Sequence, residues 1–165
     1  MLFLITLLLS TGYNTVVYAQ NNTTETTTEI ISINDLILGE KYSREQIFVA
    51  LGGEPDKIIR SEDDPNFYEY YYGEDVFFQM GNEFYGGTIE SSRFYISKGI
   101  RVGDNIEKIN QLKGICTAGE YPKSRYAGAI RWKPTNTATW DWQIVTFYHD
   151  TQGLIAGIKI HIFHH

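Results

Sequence analysis

The chain has 165 residues, a formal net charge of −6 and a pI near 5.2. An acidic chain lacks the positive field that a phosphate backbone requires, so this composition argues against nucleic acid as a partner. The single cysteine, Cys116, excludes an intramolecular disulfide, and the length suits one domain that is held together by an ordinary core.

The first segment of the chain is typical of a secretory signal peptide. Apolar residues fill most of positions 2–9, and Val17 and Ala19 stand three residues and one residue before a plausible cleavage point. The apolar run is too short to cross a bilayer of about 30 Å, which needs roughly 20 apolar residues. We therefore predict that residues 1–19 are a signal peptide and that the mature protein is secreted or periplasmic, without a membrane span.

Residues 20–29 follow the predicted cleavage point and are polar throughout, with five threonines among them. A segment with nothing to bury cannot offset the entropy that folding removes. We expect these residues to form a disordered spacer and the folded part to begin near Ile30.

Two later segments, 43–53 and 104–114, align without a gap and share the residue types that begin and end a helix. In each, an N-cap is followed three residues later by a capping-box residue, then by an apolar pair and a glycine. The matched positions are Ser43 and Asp104, Gln46 and Glu107, Phe48 and Ile109, Leu51 and Leu112, and Gly53 and Gly114. The alignment predicts two helices and two tandem repeats, 30–98 and 99–165.

Each predicted helix is followed by short runs rich in β-branched and aromatic residues, which indicate strands. The runs are 68–72, 75–79 and 91–96 in the first repeat, and 129–132, 138–142, 145–148 and 157–162 in the second. Their links are too short for parallel crossovers, so the strands should form antiparallel meanders. The predicted fold is α+β: two tandem helix-plus-meander repeats forming one domain, with both helices packed on one sheet face.

Alternation within the strands predicts which side chains point away from the helices. In the last strand Ile158, Ile160 and Ile162 form one row, and Lys159 and His161 form the other. We predict that the far face binds a partner protein through Tyr68, Tyr70, Tyr72, Arg93, Tyr95, Trp140, Trp142, Lys159 and His161. Two alternatives stay open: the strand at 68–72 presents Tyr71 instead, or the aromatic pairs only stabilise the sheet.

The runs 38–55 and 99–114 resemble the repeat of the beta-lactamase-inhibitor-protein-like fold, which is shared with the small lipoprotein subunit of the outer-membrane barrel-assembly machinery. The likeness spans roughly residues 36–163. It implies an exported protein that binds other proteins through a concave aromatic sheet. The chain departs from the family in having neither the inhibitor's disulfides nor the lipoprotein's N-terminal cysteine.

Candidate catalytic groups are sparse. His149 and Asp150 precede a turn, where aspartate commonly serves as a turn former, and Cys116 has no oxyanion site beside it in sequence. We therefore expect a non-catalytic module that binds another envelope or secreted protein, without a cofactor or a metal site. The alternative is a small envelope hydrolase or ligand-binding enzyme that uses His149, Asp150 or His161. The oligomeric state stays open.

Overall fold

A computed structural model of the chain describes residues 30–119, 126–134 and 142–163, without the side chains of Trp142 and Phe163. The predicted signal peptide at 1–19 and spacer at 20–29 lie outside the described residues. The strands in chain order are β1 (Ser32–Ile33), β2 (Leu36–Ile37), β3 (Lys57–Arg60), β4 (Phe67–Tyr72), β5 (Asp75–Met80), β6 (Glu83–Ile89), β7 (Gly114–Ala118), β8 (Gly128–Pro134), β9 (Trp142–His149) and β10 (Ile155–Phe163). The helices are α1 (Arg44–Leu51) and two 3-10 helices, Ser97–Gly99 and Ile106–Gln111.

Eight of the strands form one antiparallel sheet in the order β3-β4-β5-β6-β10-β9-β8-β7. Strands that follow one another in the chain are neighbours within β3 to β6 and within β7 to β10. The two sets join where β6 pairs with β10, with Ile89 opposite Ile158 and Gly87 opposite Ile160. Strands β1 and β2 form a separate two-stranded ribbon.

The predicted fold class is wrong. Antiparallel sheet dominates the described residues, which contain a single α-helix of eight residues, so the fold is not a pair of helix-plus-meander repeats packed on a sheet. The segment 104–114, which we expected to form the second α-helix, holds the six-residue 3-10 helix Ile106–Gln111 instead. The division of the chain into 30–98 and 99–165 stays a prediction.

Different side-chain contacts explain why only one of the two aligned segments forms an α-helix. The capping box of α1 is present, because Ser43 Oγ accepts from the Gln46 amide at 3.3 Å and Gln46 Oε1 accepts from the Ser43 amide at 2.8 Å. In the second segment the Asp104 carboxylate accepts hydrogen bonds from the Arg101 amide at 2.9 Å and from Lys108 Nζ at 2.8 Å. Asp104 therefore does not cap a helix as predicted.

Two predicted strand positions also differ from the structure. Residues 91–96, expected to be a strand, are mostly turn and loop, and the strand that follows β5 is β6, which contains Gly86 and Gly87. A Cβ at Gly87 would lie 2.6 Å from the Val76 carbonyl oxygen, so this glycine lets β5 and β6 approach closely. Residues 138–141 of another predicted strand lie outside the described part of the chain, and β9 begins at Trp142.

The core lies between one face of the sheet and a layer made by α1, the β1–β2 ribbon and the loop around Phe94. The ring of Phe48 on α1 meets the ring of Tyr70 edge-on at 5.1 Å. Phe77 is fully buried and its ring lies 4.8 Å from that of Phe94. In the other half of the sheet the core is formed by Trp132, Val145, Phe147, Ile158, Ile160 and Ile162.

Candidate functional site

The register of the strands assigns every sheet side chain to one of two faces. Tyr70 packs against α1, so its cross-strand partner Phe77 also points to the core. The side chains that alternate with these two along each strand point the other way, to the face that we call the open face. One row across all eight strands of this face is formed by Lys57, Tyr71, Val76, Thr88, Lys159, Thr146, Arg131 and Thr117.

An aromatic and apolar patch occupies the β4–β5 end of the open face. Phe67 and Phe78 are half-buried there, and their rings stack 5.7 Å apart with 26° between their planes. The Tyr71 hydroxyl donates to Glu69, and Lys57 Nζ lies 5.5 Å from the centre of the Tyr71 ring. The hydrogen bond to Glu69, and to a smaller extent burial, raises the pKa of Tyr71. Tyr71 is therefore a neutral, half-buried ring held in one orientation.

The centre of the open face carries two basic side chains, Lys159 and His161 on β10. Both are half-buried, and they point away from the buried isoleucines of this strand, as the alternation predicted. Burial is the main cause that lowers the pKa of His161 below its ordinary value of 6.5, and the nearby charge of Lys159 lowers it further. Both causes favour the neutral form of the imidazole.

Tyr126 covers part of β9 and β10 on the open face. Its ring stacks on that of Tyr148 at 4.6 Å, and its hydroxyl donates to the Glu90 carboxylate at 3.1 Å. The hydroxyl lies directly above Gly157, where an added Cβ would be 2.9 Å from it. Gly157 therefore leaves the space that Tyr126 occupies, which sequence reasoning missed because Tyr126 belongs to no strand.

Two of the predicted partner-binding residues are in the core and not on the open face. Tyr70 and Tyr72 are 0% and 4% exposed. Tyr72 donates to the Gly53 carbonyl at 2.8 Å, and burial is the main cause that raises its pKa to about 12. The strand at 67–72 thus follows the alternative register that presents Tyr71, and Tyr70 and Tyr72 belong to the core.

Tyr68, Arg93 and Tyr95 also lie on the helix side of the sheet. The Arg44 guanidinium lies 4.6 Å from the centre of the Tyr68 ring. Arg93 lies in a turn, with its guanidinium 5.3 Å from the Tyr72 ring and a hydrogen bond to the Leu51 carbonyl at 3.3 Å. The Tyr95 carbonyl accepts from the Asn34 amide at 2.8 Å. Of the nine residues, the structure places Lys159 and His161 on the open face, while Trp140 and the Trp142 side chain lie outside the described residues.

An open cleft of about 600 Å³ lies beside Tyr68, between the start of α1 and the β4–β5 strands. Its lining is mostly polar: Tyr42, Ser43, Arg44, Glu45, Asn66, Tyr68, Gln79, Gly81 and Asn82. Gln79 at its floor is buried and accepts from the Tyr70 hydroxyl, and its amide nitrogen donates to the Tyr42 carbonyl at 3.0 Å. These contacts join β5 to the segment that precedes α1, so they give the cleft floor a structural role.

The two histidines of the enzyme alternative are not brought together. His149 and His161 point to opposite faces, and His161 is paired with Ile144, five residues or roughly 17 Å along β9 from His149. Asp150 forms the turn, since its Oδ1 accepts from the amides of Gln152 and Leu154 at 2.9 Å each. This is the turn-forming role that we expected for Asp150.

Within the described ranges, no group of three or more histidine, cysteine, aspartate or glutamate side chains is arranged to hold a metal ion. No helix in that part of the chain is long and apolar enough to cross a membrane. In comparisons with known proteins, no family model, no curated protein and no solved structure matched the chain. The resemblance to the inhibitor-like fold therefore stays a prediction from the sequence.

The half-buried state of His161 makes the stability of the fold depend on pH. Because the pKa of the folded imidazole lies below that of the unfolded one, the unfolded chain binds the proton more readily. The contribution of the neutral ring is complete above about pH 6.5 and is lost as the pH falls through the folded pKa. We expect the free energy of unfolding, measured with urea, to fall more between pH 7.5 and pH 5 in the wild type than in His161→Gln. An equal decrease in both proteins would contradict this.

Proposed function

We propose that the mature chain is an exported, non-catalytic module that binds another envelope or secreted protein through the open face of its sheet. The observation that carries the proposal is the composition of that face. Tyr71, Phe67 and Phe78 supply half-buried aromatic surface, and Lys159 and Arg131 add positive charge in the same band. Tyrosine, phenylalanine and arginine are among the residue types enriched at protein interfaces.

The geometry of the patch supports this function for a second reason. An aromatic anchor contributes most to binding when its position is fixed before the partner arrives, since less freedom is then lost. Tyr71 is held by Glu69 and Lys57, and Phe67 and Phe78 hold each other by stacking. The signal-like sequence at 1–19 and the resemblance to exported binding proteins point to the same class of function.

The proposal predicts that aromatic side chains of the open face can be removed with loss of binding and little loss of stability. We expect the double variant Tyr71→Ala, Phe78→Ala to lose at least nine-tenths of its capture of a partner, because removing interface anchors costs about 2 kcal/mol or more each. The measurement is capture by the immobilised mature protein from envelope extract and culture fluid of the source organism, with mass spectrometry of the retained proteins.

The matched control is Val49→Ala on α1, because Val49 is 80% exposed on the opposite side of the protein. We expect this variant to capture the same protein as the wild type. If the double variant, folded by circular dichroism, captures that protein as well as the wild type does, the open face is not the binding surface.

A further inference from the structure

One edge of the sheet has backbone groups directed outward. Strand β7 stands last in the sheet, and within the described ranges it pairs only with β8. The Gly119 amide donates to the Ala129 carbonyl at 3.0 Å, which fixes the odd-numbered residues of this segment as those that bond to β8. By the alternation of an antiparallel ladder, the N–H and C=O groups of Gly114, Cys116 and Ala118 point away from β8.

The two edges of the sheet differ in charge. Strand β3, at the other edge, begins with Lys57 and ends with Arg60, and charged edge residues prevent edge-to-edge pairing. Two copies of β3 paired along this edge would bring the positive charges of Lys57 and Arg60 of both copies close together, which is unfavourable. Strand β7 has no charged residue and no proline, and Ile115 on it is 45% exposed.

We propose that β7 is a self-association edge, through which two copies of this chain pair in antiparallel order with Cys116 opposite its own copy. This register places Gly114 opposite Ala118 and Ile115 opposite Thr117 of the second copy, so no like charges meet within the strand. It forms about six hydrogen bonds between the copies, two for each outward-facing residue pair. A second copy suits this edge because its own β7 is equally short and uncharged, and has no strand on its outer side within the described ranges.

The pairing also joins the open faces of both copies into one surface, because side chains of β7 alternate in phase with those of β8. The contact is smaller than the roughly 1,600 Å² of a standard interface, so the dimer should be weak and depend on concentration. The proposal does not depend on the protein-binding function, since it rests on the backbone of β7 rather than on the aromatic patch.

The test uses proline at an outward-facing amide of each edge. Ala118→Pro removes a donor that points away from β8. Ile58→Pro does the same at β3, where the Ser61 amide bonded to the Phe67 carbonyl fixes the odd-numbered residues as those that bond to β4. Neither change removes a bond within the sheet. Both variants keep Cys116, the single cysteine of the chain, for cross-linking with a short bis-maleimide.

We expect sedimentation of the mature wild type between about 10 and 500 µM to show a mass that rises toward two copies, as a weak interface of this size implies. The bis-maleimide should join two Cys116 thiols in the wild type and in Ile58→Pro, and Ala118→Pro should lose both the mass increase and at least nine-tenths of the cross-link. A wild type that stays at one copy, an unchanged dimer in Ala118→Pro, or a loss of the dimer in Ile58→Pro would overturn the proposal.

Discussion

Replacing Phe77 with alanine should destabilise the protein by about 3–5 kcal/mol, the usual loss for a large aromatic side chain removed from a core. Phe77 is fully buried, and its ring contacts those of Tyr72, Phe84 and Phe94 at centroid distances of 5.8, 6.4 and 4.8 Å. Its loss leaves a cavity between the sheet and the layer that holds α1. Urea unfolding of the mature protein, followed by tryptophan fluorescence, measures the effect.

The neighbouring residue provides the matched control. Phe78→Ala removes the same group from the open face, where it stacks with Phe67, and should lower the free energy of unfolding by about 1 kcal/mol, as for a cross-strand aromatic pair. The two substitutions are chemically identical and one residue apart, so their difference reports which face is the core. Equal losses, or a larger loss for Phe78→Ala, would contradict the assignment of faces.

Replacing Asp75 with alanine should lower the free energy of unfolding by about 3 kcal/mol, because two backbone amides would lose a charged acceptor. The Asp75 side chain is 1% exposed. Its carboxylate accepts from the amides of Glu90 and Ser91 at 2.6 and 3.0 Å, and from the Ser91 hydroxyl at 2.6 Å. These bonds fix the chain where it leaves β6.

Asp75→Asn tests whether the hydrogen bonds of Asp75, and not another property of its side chain, stabilise the fold. The remaining amide oxygen can still accept from both backbone amides, so we expect a loss of about 1 kcal/mol in the same urea measurement. The network also positions Glu90, the acceptor for Tyr126 on the open face, so we expect a shift of the Tyr126 ring resonances in Asp75→Ala alone. A loss in Asp75→Asn as large as that in Asp75→Ala would show that the two amides are not what Asp75 satisfies.

Local signals were sufficient for part of the fold. The capping box of α1 involves residues three positions apart, so the sequence predicts it directly. The same residue types at Asp104 and Glu107 mislead, because Asp104 instead accepts from Lys108 and from the Arg101 amide. Competition among nearby partners decides between a helix cap and a turn, and a spacing pattern does not contain that information.

The assignment of faces failed where the alternation was uninformative. Strand β10 alternates isoleucine with polar residues, and its buried row was predicted correctly. Strand β4 has tyrosine at 68, 70, 71 and 72, so either row of side chains could be buried. The pairing of Tyr70 with Phe77 and the contact of Tyr70 with Phe48 determine which row is buried. Those contacts join segments distant in sequence, which is why the sequence left both registers possible.

The position of a photo-cross-linker gives the most direct test of the open face as a protein-binding surface. In Tyr71→benzoylphenylalanine the cross-linker stands on the open face. In Val49→benzoylphenylalanine it stands on the exposed side of α1. After irradiation in envelope extract or culture fluid of the source organism, we predict a covalent adduct with a second protein from position 71 and none from position 49. An adduct formed from position 49 alone, or equally from both positions, would contradict the account.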